Sequence, residues 1–228
     1  MRSEPMMDVY ADRADAGRRL APWVARALGP PGDDPPLVLA LPRGGVPVAV
    51  EVAAALDAPF DVLLVRKLGV PGHAELAFGA IATGGARILN PDVIATAHLS
   101  DRAIEAVVAT ETAELVRRER CYRGDRPVPP VAGRTVVVVD DGLATGATMR
   151  AAVLALRDRA AARVIAAAPV GSVEARALVA LDADAVVCPY VPHRFRAVGA
   201  WYLDFGAVDD ATVTDLLEHA AGSAIRRG

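Results

Sequence analysis

The chain has 228 residues, 53% of them apolar and 23% charged, with a net charge of −3. That is enough apolar surface to close a substantial core, and the acidic balance argues against a binder of nucleic acid polymers or of a membrane surface. No apolar run is long enough to cross a bilayer and "MRSEPMMDVY" lacks the apolar stretch of a secretion signal, so a cytoplasmic protein is expected, with Cys121 and Cys188 as buried thiols rather than a disulfide or a zinc site.

Residues 8 to 29 carry Leu20, Trp23, Val24 and Leu28 at helical spacing and meet the breaker cluster "GPPGDDPP". Short apolar strands and amphipathic helices then alternate: a strand over 37–41, a helix over 46–57 and a strand over 61–65. About seventy residues intervene, predicting a loop, a small hairpin turning at Gly84-Gly85 and a helix from Ser100 to about Tyr122. Alternation resumes with strands over 135–140, 163–170 and 184–188 and helices over 147–160 and 172–181. An irregular tail runs from Tyr190 to Phe205, and a last helix begins near Thr212. The pattern predicts an α/β fold, a parallel sheet with helices on both faces, as one domain over 1–228 with its core at about 36–66 and 133–189 and an inserted lobe at about 67–132.

In sheets of this class ligands bind beyond the carboxyl ends of the strands, so the strand exits are where chemistry is sought. The first exit, "LALPRGGVPVAV", carries Arg43, Gly44 and Gly45: either an ordinary tight turn or a close-approach backbone with a cation, suited to an anion. The second, "LLVRKLGVPGHAEL", puts Arg66 and Lys67 side by side before a glycine- and proline-containing loop with His73 and Glu75, which are loop surface or part of a closing lid. Of the 25 basic residues Lys67 is the single lysine, by chance or because a compact ammonium is needed there. The pair is either solvated or, with Arg43, converges on a polyanion such as pyrophosphate.

The third exit, "TVVVVDDGLATGATM", sets Asp140 and Asp141 ahead of a turn of small residues. The acids either stop a buried strand or accept hydrogen bonds from the vicinal hydroxyls of a ribose. Ala144, Thr145, Gly146, Ala147 and Thr148 enter a helix, where converging amides suit the 5-phosphate. The spacing of Gly142 and Gly146 excludes a P-loop and a dinucleotide fingerprint, a methyltransferase loop would want a glycine at Ala144, and the lysine that a phospho-receiver needs after this point is missing. Finally, five of the ten aromatic residues fall in the tail. Tyr202 and Phe205 are expected in a small core under it, and Phe195 and Trp201 as a stacking platform for a planar ring.

"VVVVDDGLATGAT" resembles the phosphoribosyl pyrophosphate signature of the type I phosphoribosyltransferases, "VRKLGVPG" is similar to the stretch leading their mobile loop, and "AVGAWYLDF" is similar to the base-binding tail of the hypoxanthine-guanine enzymes, with one extra residue between Gly199 and Leu203. The whole chain looks most like a bacterial group of this family whose substrate is unsettled. The resemblance implies a mobile loop within 67–132 and a hood formed by the tail at about 190–206. It implies transfer of a 5-phosphoribosyl group from magnesium-bound phosphoribosyl pyrophosphate to a ring nitrogen of a small heterocyclic base. In that reading Arg43, Arg66 and Lys67 serve the departing pyrophosphate with Gly44 and Gly45, Asp140 and Asp141 hold the ribose, residues 144–148 hold the phosphate, and Phe195, Val198 and Trp201 hold the base. Asp204 then touches the shell of Mg2+ or the pyrophosphate, and a homodimer is a further implication. Ala144 stands where the hypoxanthine-guanine enzymes have an aspartate, as it does in the adenine enzymes. The same pocket would also serve a non-catalytic regulator that binds phosphoribosyl pyrophosphate or a nucleotide, or a phosphatase or other hydrolase.

Overall fold

In the computed structural model, which describes residues 9–30, 32 and 34–225, the chain runs α1 (Arg13–Leu28), β1 (Leu37–Ala40), α2 (Gly45–Leu56), β2 (Phe60–Val62), β3 (Val65–Val70), β4 (His73–Ala82), β5 (Ala86–Leu89), α3 (Pro91–Thr96), α4 (Asp101–Arg123), β6 (Thr135–Val139), α5 (Ala147–Asp158), β7 (Arg163–Ala167), α6 (Val173–Val179), β8 (Ala185–Val187) and α7 (Asp210–Ile225). Most of the opening "MRSEPMMDVY" lies outside the described residues.

Unbroken apolar runs, whose successive side chains point to opposite faces, build a sheet buried on both sides. Five parallel strands pair in the order β2-β1-β6-β7-β8, with Val38 opposite both Phe60 and Val137. Val38, Ala40, Val137 and Val139 face α1, α2, α4 and α7, while Leu37, Leu39, Val136 and Val138 face α5 and α6. Each fully buried Val or Leu contributes about 1.5–3 kcal/mol, which is why runs of only three to five residues hold as strands. The caps are local: Asp12 accepts from the Asp15 amide at 2.7 Å to start α1, and Ser100 accepts from the Ala103 amide at 3.3 Å to start α4.

Two expectations are corrected. "DVLLV" is not one strand: Phe60–Val62 pair in the main sheet, and Val65 already belongs to a second, antiparallel sheet in the order β3-β4-β5. The loop expected after Lys67 is instead the β3–β4 hairpin, with Pro71 and Gly72 only at its tip. The reason is burial: Leu68, Val70 and Phe78 pack into the core that α4 completes, far along the sequence. The β4–β5 turn comes where it is expected, with Gly84 and Gly85 at φ of 86° and 84°. Cysteine placement also differs, since Cys121 is exposed while burial pushes the Cys188 thiol up to about 12. Among the described residues no helix is long and apolar enough to cross a membrane.

The inserted helix is riveted to the sheet edge by a charge. The Arg123 side chain, 2% exposed at the end of α4, donates through Nε to Asp61 Oδ2 on β2 at 2.9 Å and through Nη2 to the Val62 carbonyl at 2.6 Å. Its Nη1 lies 3.8 Å from Glu119.

Candidate functional site

β1 and β6 are neighbours whose chains leave in opposite directions, β1 toward β2 and β6 toward β7, so a crevice opens beyond their carboxyl ends. The Leu41 amide donates to the Val139 carbonyl at 2.9 Å, holding the two exits level. After β1 come Pro42, Arg43, Gly44 and Gly45, with a cis peptide between Pro42 and Arg43. After β6 come Asp140, Asp141 and the turn into α5. The two loops touch. A Cβ on Gly44 would lie 2.6 Å from Asp141 Cγ, and one on Gly45 would lie 2.6 Å from the Val139 carbonyl oxygen. The paired glycines are therefore needed for the acid pair to fit beside the backbone.

The two acids have different surroundings. Asp140 Oδ1 accepts from the Asp141 amide at 2.8 Å. Asp141 Oδ2 accepts from Arg13 Nε at 2.9 Å, and the Asp141 carbonyl accepts from the Tyr202 hydroxyl at 2.6 Å. Burial lifts both carboxyl groups above the ordinary carboxylate range; repulsion from Asp141 lifts Asp140 further, and Arg13 pulls both back down.

The turn from Ala144 to Thr148 stands beside them. Ala144 and Thr145 are exposed, whereas Gly146 is buried against α6 at φ 76°, and a Cβ there would lie 2.8 Å from the Ala175 carbonyl. Ser172, the N-cap of α6, donates to the Ala144 carbonyl at 2.9 Å and so fixes the turn from beneath. The first intrahelical bond of α5 is Arg150 to the Gly146 carbonyl, at 2.8 Å, and the amides ahead of it have no partner of that kind. Thr145 Oγ1 takes the Ala147 amide at 3.4 Å. The arrangement offers an anion a rigid, solvent-facing helix start.

The cations are distributed otherwise than their sequence order implies. Arg66 turns to α4 and donates through Nε to Glu111 Oε2 at 2.7 Å. Lys67, next on β3, is exposed and by the pleat belongs to the opposite face. Arg43 is half-exposed with Nη1 3.8 Å from Asp210 at the start of α7, an aspartate that also accepts from the Tyr122 hydroxyl. The structure thus brings Gly44, Gly45, Asp140 and Asp141 together and sends the three cations to separate partners or faces. His73 is exposed at the hairpin tip, and the side chain of Glu75 lies outside the described residues.

In the tail, Val198–Trp201 form a 3-10 turn, and Val198 packs onto Gly142 so closely that a Cβ there would lie 2.5 Å from Val198 Cγ1. Tyr202 is buried as expected, its ring 5.4 Å from that of Tyr10. Phe205 corrects the expectation of a core residue: it is 37% exposed and lies under the Arg13 guanidinium, 3.9 Å from the ring centre. Phe195 and Trp201 are half-buried in the same cluster as Tyr10 and Tyr202, with Trp201 edge-on to Tyr190 at 4.7 Å, so neither ring stands as an open platform. The Trp201 Nε1 donor is buried without a hydrogen-bond partner. Asp204 is exposed, and its Oδ1 accepts from the Gly206 amide at 2.9 Å. Among the described residues no group of three or more His, Cys, Asp or Glu side chains could hold a metal ion, so the described side chains by themselves do not build the oxygen cage of a resident Mg2+.

Arg13, Tyr10, Glu111 and Asp210 are the site's neighbours that sequence reasoning missed. No local signal marks Arg13, because Asp12 and Asp15 already supply the anions expected at the start of α1.

Residues 8–195 match the sequence profile described as "Phosphoribosyl transferase domain". Over 214 residues the chain is 47% identical to a Mycobacterium tuberculosis protein, found in strains CDC 1551 and H37Rv, that is described only provisionally as a phosphoribosyl transferase. That match covers 94% of this chain and 47% of the relative, so the chain spans about half the length of the curated relatives it matches. The crystal structure of TT1426 from Thermus thermophilus superimposes with a TM-score of 0.82 at 43% identity, covering 92% of this chain and 98% of that one. The AQ2163 protein of Aquifex aeolicus shares the fold, with a TM-score of 0.51 at 12% identity over 90% of this chain and 84% of that one.

Proposed function

The chain belongs to the phosphoribosyl transferase domain family, and on that premise we propose that it transfers a 5-phosphoribosyl group from phosphoribosyl pyrophosphate to a ring nitrogen of a small heterocycle. The observation that carries the reading is the meeting of three elements at one strand switch: the acid pair, the Gly44-Gly45 backbone beside it and the amide-lined turn at residues 144–148. A phosphorylated ribose needs acceptors for two hydroxyls and donors for a dianion, and these lie on consecutive residues of one rigid strand-to-helix exit.

In the proposed reaction the ring nitrogen's lone pair forms the bond to C1 while the C1–oxygen bond breaks, its electron pair leaving with pyrophosphate. The proton released from the ring passes to water or to the departing anion. Magnesium bound to the polyphosphate would be part of the substrate and would shield its charge. The protein's share is positioning: Asp140 and Asp141 hold the ribose, residues 144–148 fix its phosphate, and the β1–α2 loop with Arg43 lies on the side where pyrophosphate departs. Arg66 and Lys67 join only if the small sheet moves, since Arg66 is held by Glu111. Val198, Phe195 and Trp201 border the base.

The test is pyrophosphate release from magnesium phosphoribosyl pyrophosphate with a panel of purines, pyrimidines and related heterocycles. Asp140→Ala with Asp141→Ala is expected to reduce it by at least about a hundredfold. Release with none of the panel, while calorimetry registers binding, would establish instead a non-catalytic sensor. The pairing of Arg43 with Asp210 and of Arg66 with Glu111 is the observation that favours this second reading.

A pH dependence follows from the raised acid pair. The hydroxyls of ribose need ionised acceptors, and a carboxyl whose pKa is raised takes up its proton at a higher pH than usual. Affinity for phosphoribosyl pyrophosphate therefore falls on acidification from above the ordinary carboxylate range. Calorimetric titrations across pH, with the double variant Asp140→Asn, Asp141→Asn as the reference that accounts for the ligand's own phosphate ionisation, should show the added acidic limb only in the unaltered protein.

A further inference from the structure

We propose that Arg13 is a positioning residue, a clasp that fixes Asp141 and locks the tail at residues 198–206 to the acid pair. The functional part of this inference rests on the phosphoribosyl reading above; the clasp itself does not.

One planar group reaches in three directions. Arg13 Nε donates to Asp141 Oδ2 at 2.9 Å, Nη1 donates to the Gly206 carbonyl at 2.8 Å, and the guanidinium face covers the Phe205 ring at 3.9 Å. The side chain is 11% exposed and that of Asp141 15%, so the pair is largely withdrawn from solvent screening. The backbone beside Arg13 is joined to the same tail: the Tyr10 amide donates to the Trp201 carbonyl at 2.9 Å, and the Leu203 and Asp204 amides donate to the Tyr10 and Ala11 carbonyls at 2.8 and 2.9 Å. Tyr202 closes the circuit by donating its hydroxyl to the Asp141 carbonyl. The start of α1, the acid pair and the tail therefore form one unit, with Arg13 as its charged centre. A lysine could meet Asp141 or Gly206, but it has no fork to meet both and no face to lie on Phe205.

The surroundings of Asp141 make the charge matter. Asp140 faces it from the end of β6, the Tyr202 hydroxyl from the tail and Arg13 from α1; Arg43, in the adjoining β1–α2 loop, reaches toward Asp210 instead. Arg13 is thus the cation that offsets part of the upward push burial gives the Asp141 carboxyl.

The experiment uses the full chain with Trp23→Phe, which replaces the exposed tryptophan of α1 and leaves Trp201 as the single fluorescent reporter of the tail. In Arg13→Ala, acrylamide should quench Trp201 more strongly, affinity for magnesium phosphoribosyl pyrophosphate should fall about tenfold or more, and the acidic limb of binding should move to higher pH. Arg13→Lys should restore the pH limb in part and the quenching hardly at all. Unchanged quenching in Arg13→Ala, or full rescue of both signals by Arg13→Lys, overturns the clasp. If Arg13→Ala does not fold, Arg13→Gln, which keeps a donor and drops the charge, gives the same readouts. Failure of the unaltered protein to bind phosphoribosyl pyrophosphate would remove the functional reading, and the Trp201 signal would still decide the clasp.

Discussion

Gly44→Ala is expected to lower turnover, and affinity for magnesium phosphoribosyl pyrophosphate, by about a hundredfold. The added methyl would occupy the place of the Asp141 carboxylate, 2.6 Å from its Cγ, and neither side can yield cheaply. Gly44 caps α2, while Asp141 is held by Arg13 and by Tyr202. The displacement therefore has a definite course: Asp141 is driven off Arg13, and the ribose acceptors lose their alignment. Overpacking of this kind costs about 1–3 kcal/mol of stability, so the variant should still fold. Steady-state assays beside thermal unfolding check both halves. Gly32→Ala, at a position where a Cβ meets nothing within 4 Å, is the control expected to be silent. Full activity in Gly44→Ala would mean that the acid pair does not hold the substrate.

The second large effect concerns stability alone. Arg123→Ala leaves Asp61 buried and unpaired at the edge of the main sheet, and removes the donor to the Val62 carbonyl. Breaking a buried ion pair by deleting one partner costs about 3–5 kcal/mol, which for a domain of this size lowers the melting midpoint on the order of 10 °C. Replacing both partners, Arg123→Met with Asp61→Leu, should recover most of the loss, because no charge between them is then stranded. Glu119, 3.8 Å from Arg123, prevents complete recovery. A loss below about 1 kcal/mol in Arg123→Ala would place this pair with surface bridges.

The two effects also mark what the sequence could and could not reveal. Strands β1, β6 and β7 were legible because they are buried on both faces and read as unbroken apolar runs between breakers. β3 was not, because its stability depends on Leu68 and Val70 packing beneath α4, and because Pro71-Gly72 reads as a loop when it is only a hairpin tip. The difference matters at the site. Adjacent residues in a loop can converge on a ligand, whereas in a strand the pleat separates them, which is how Arg66 and Lys67 part. The acid pair and its following turn were legible from local chemistry alone, since strand, carboxylates and small residues lie within one short stretch. Arg13 lay outside any such window, and only the pairing of Tyr10 with the tail brings it to Asp141.

The contact between Gly44 and Asp141 has a consequence for descent as well as for catalysis. One volume is shared by two positions on separate loops, so neither can be altered freely while the other is kept. Lineages that gain a side chain at 44 should be those that have lost length at 141, so two sites far apart in the chain are bound to drift together.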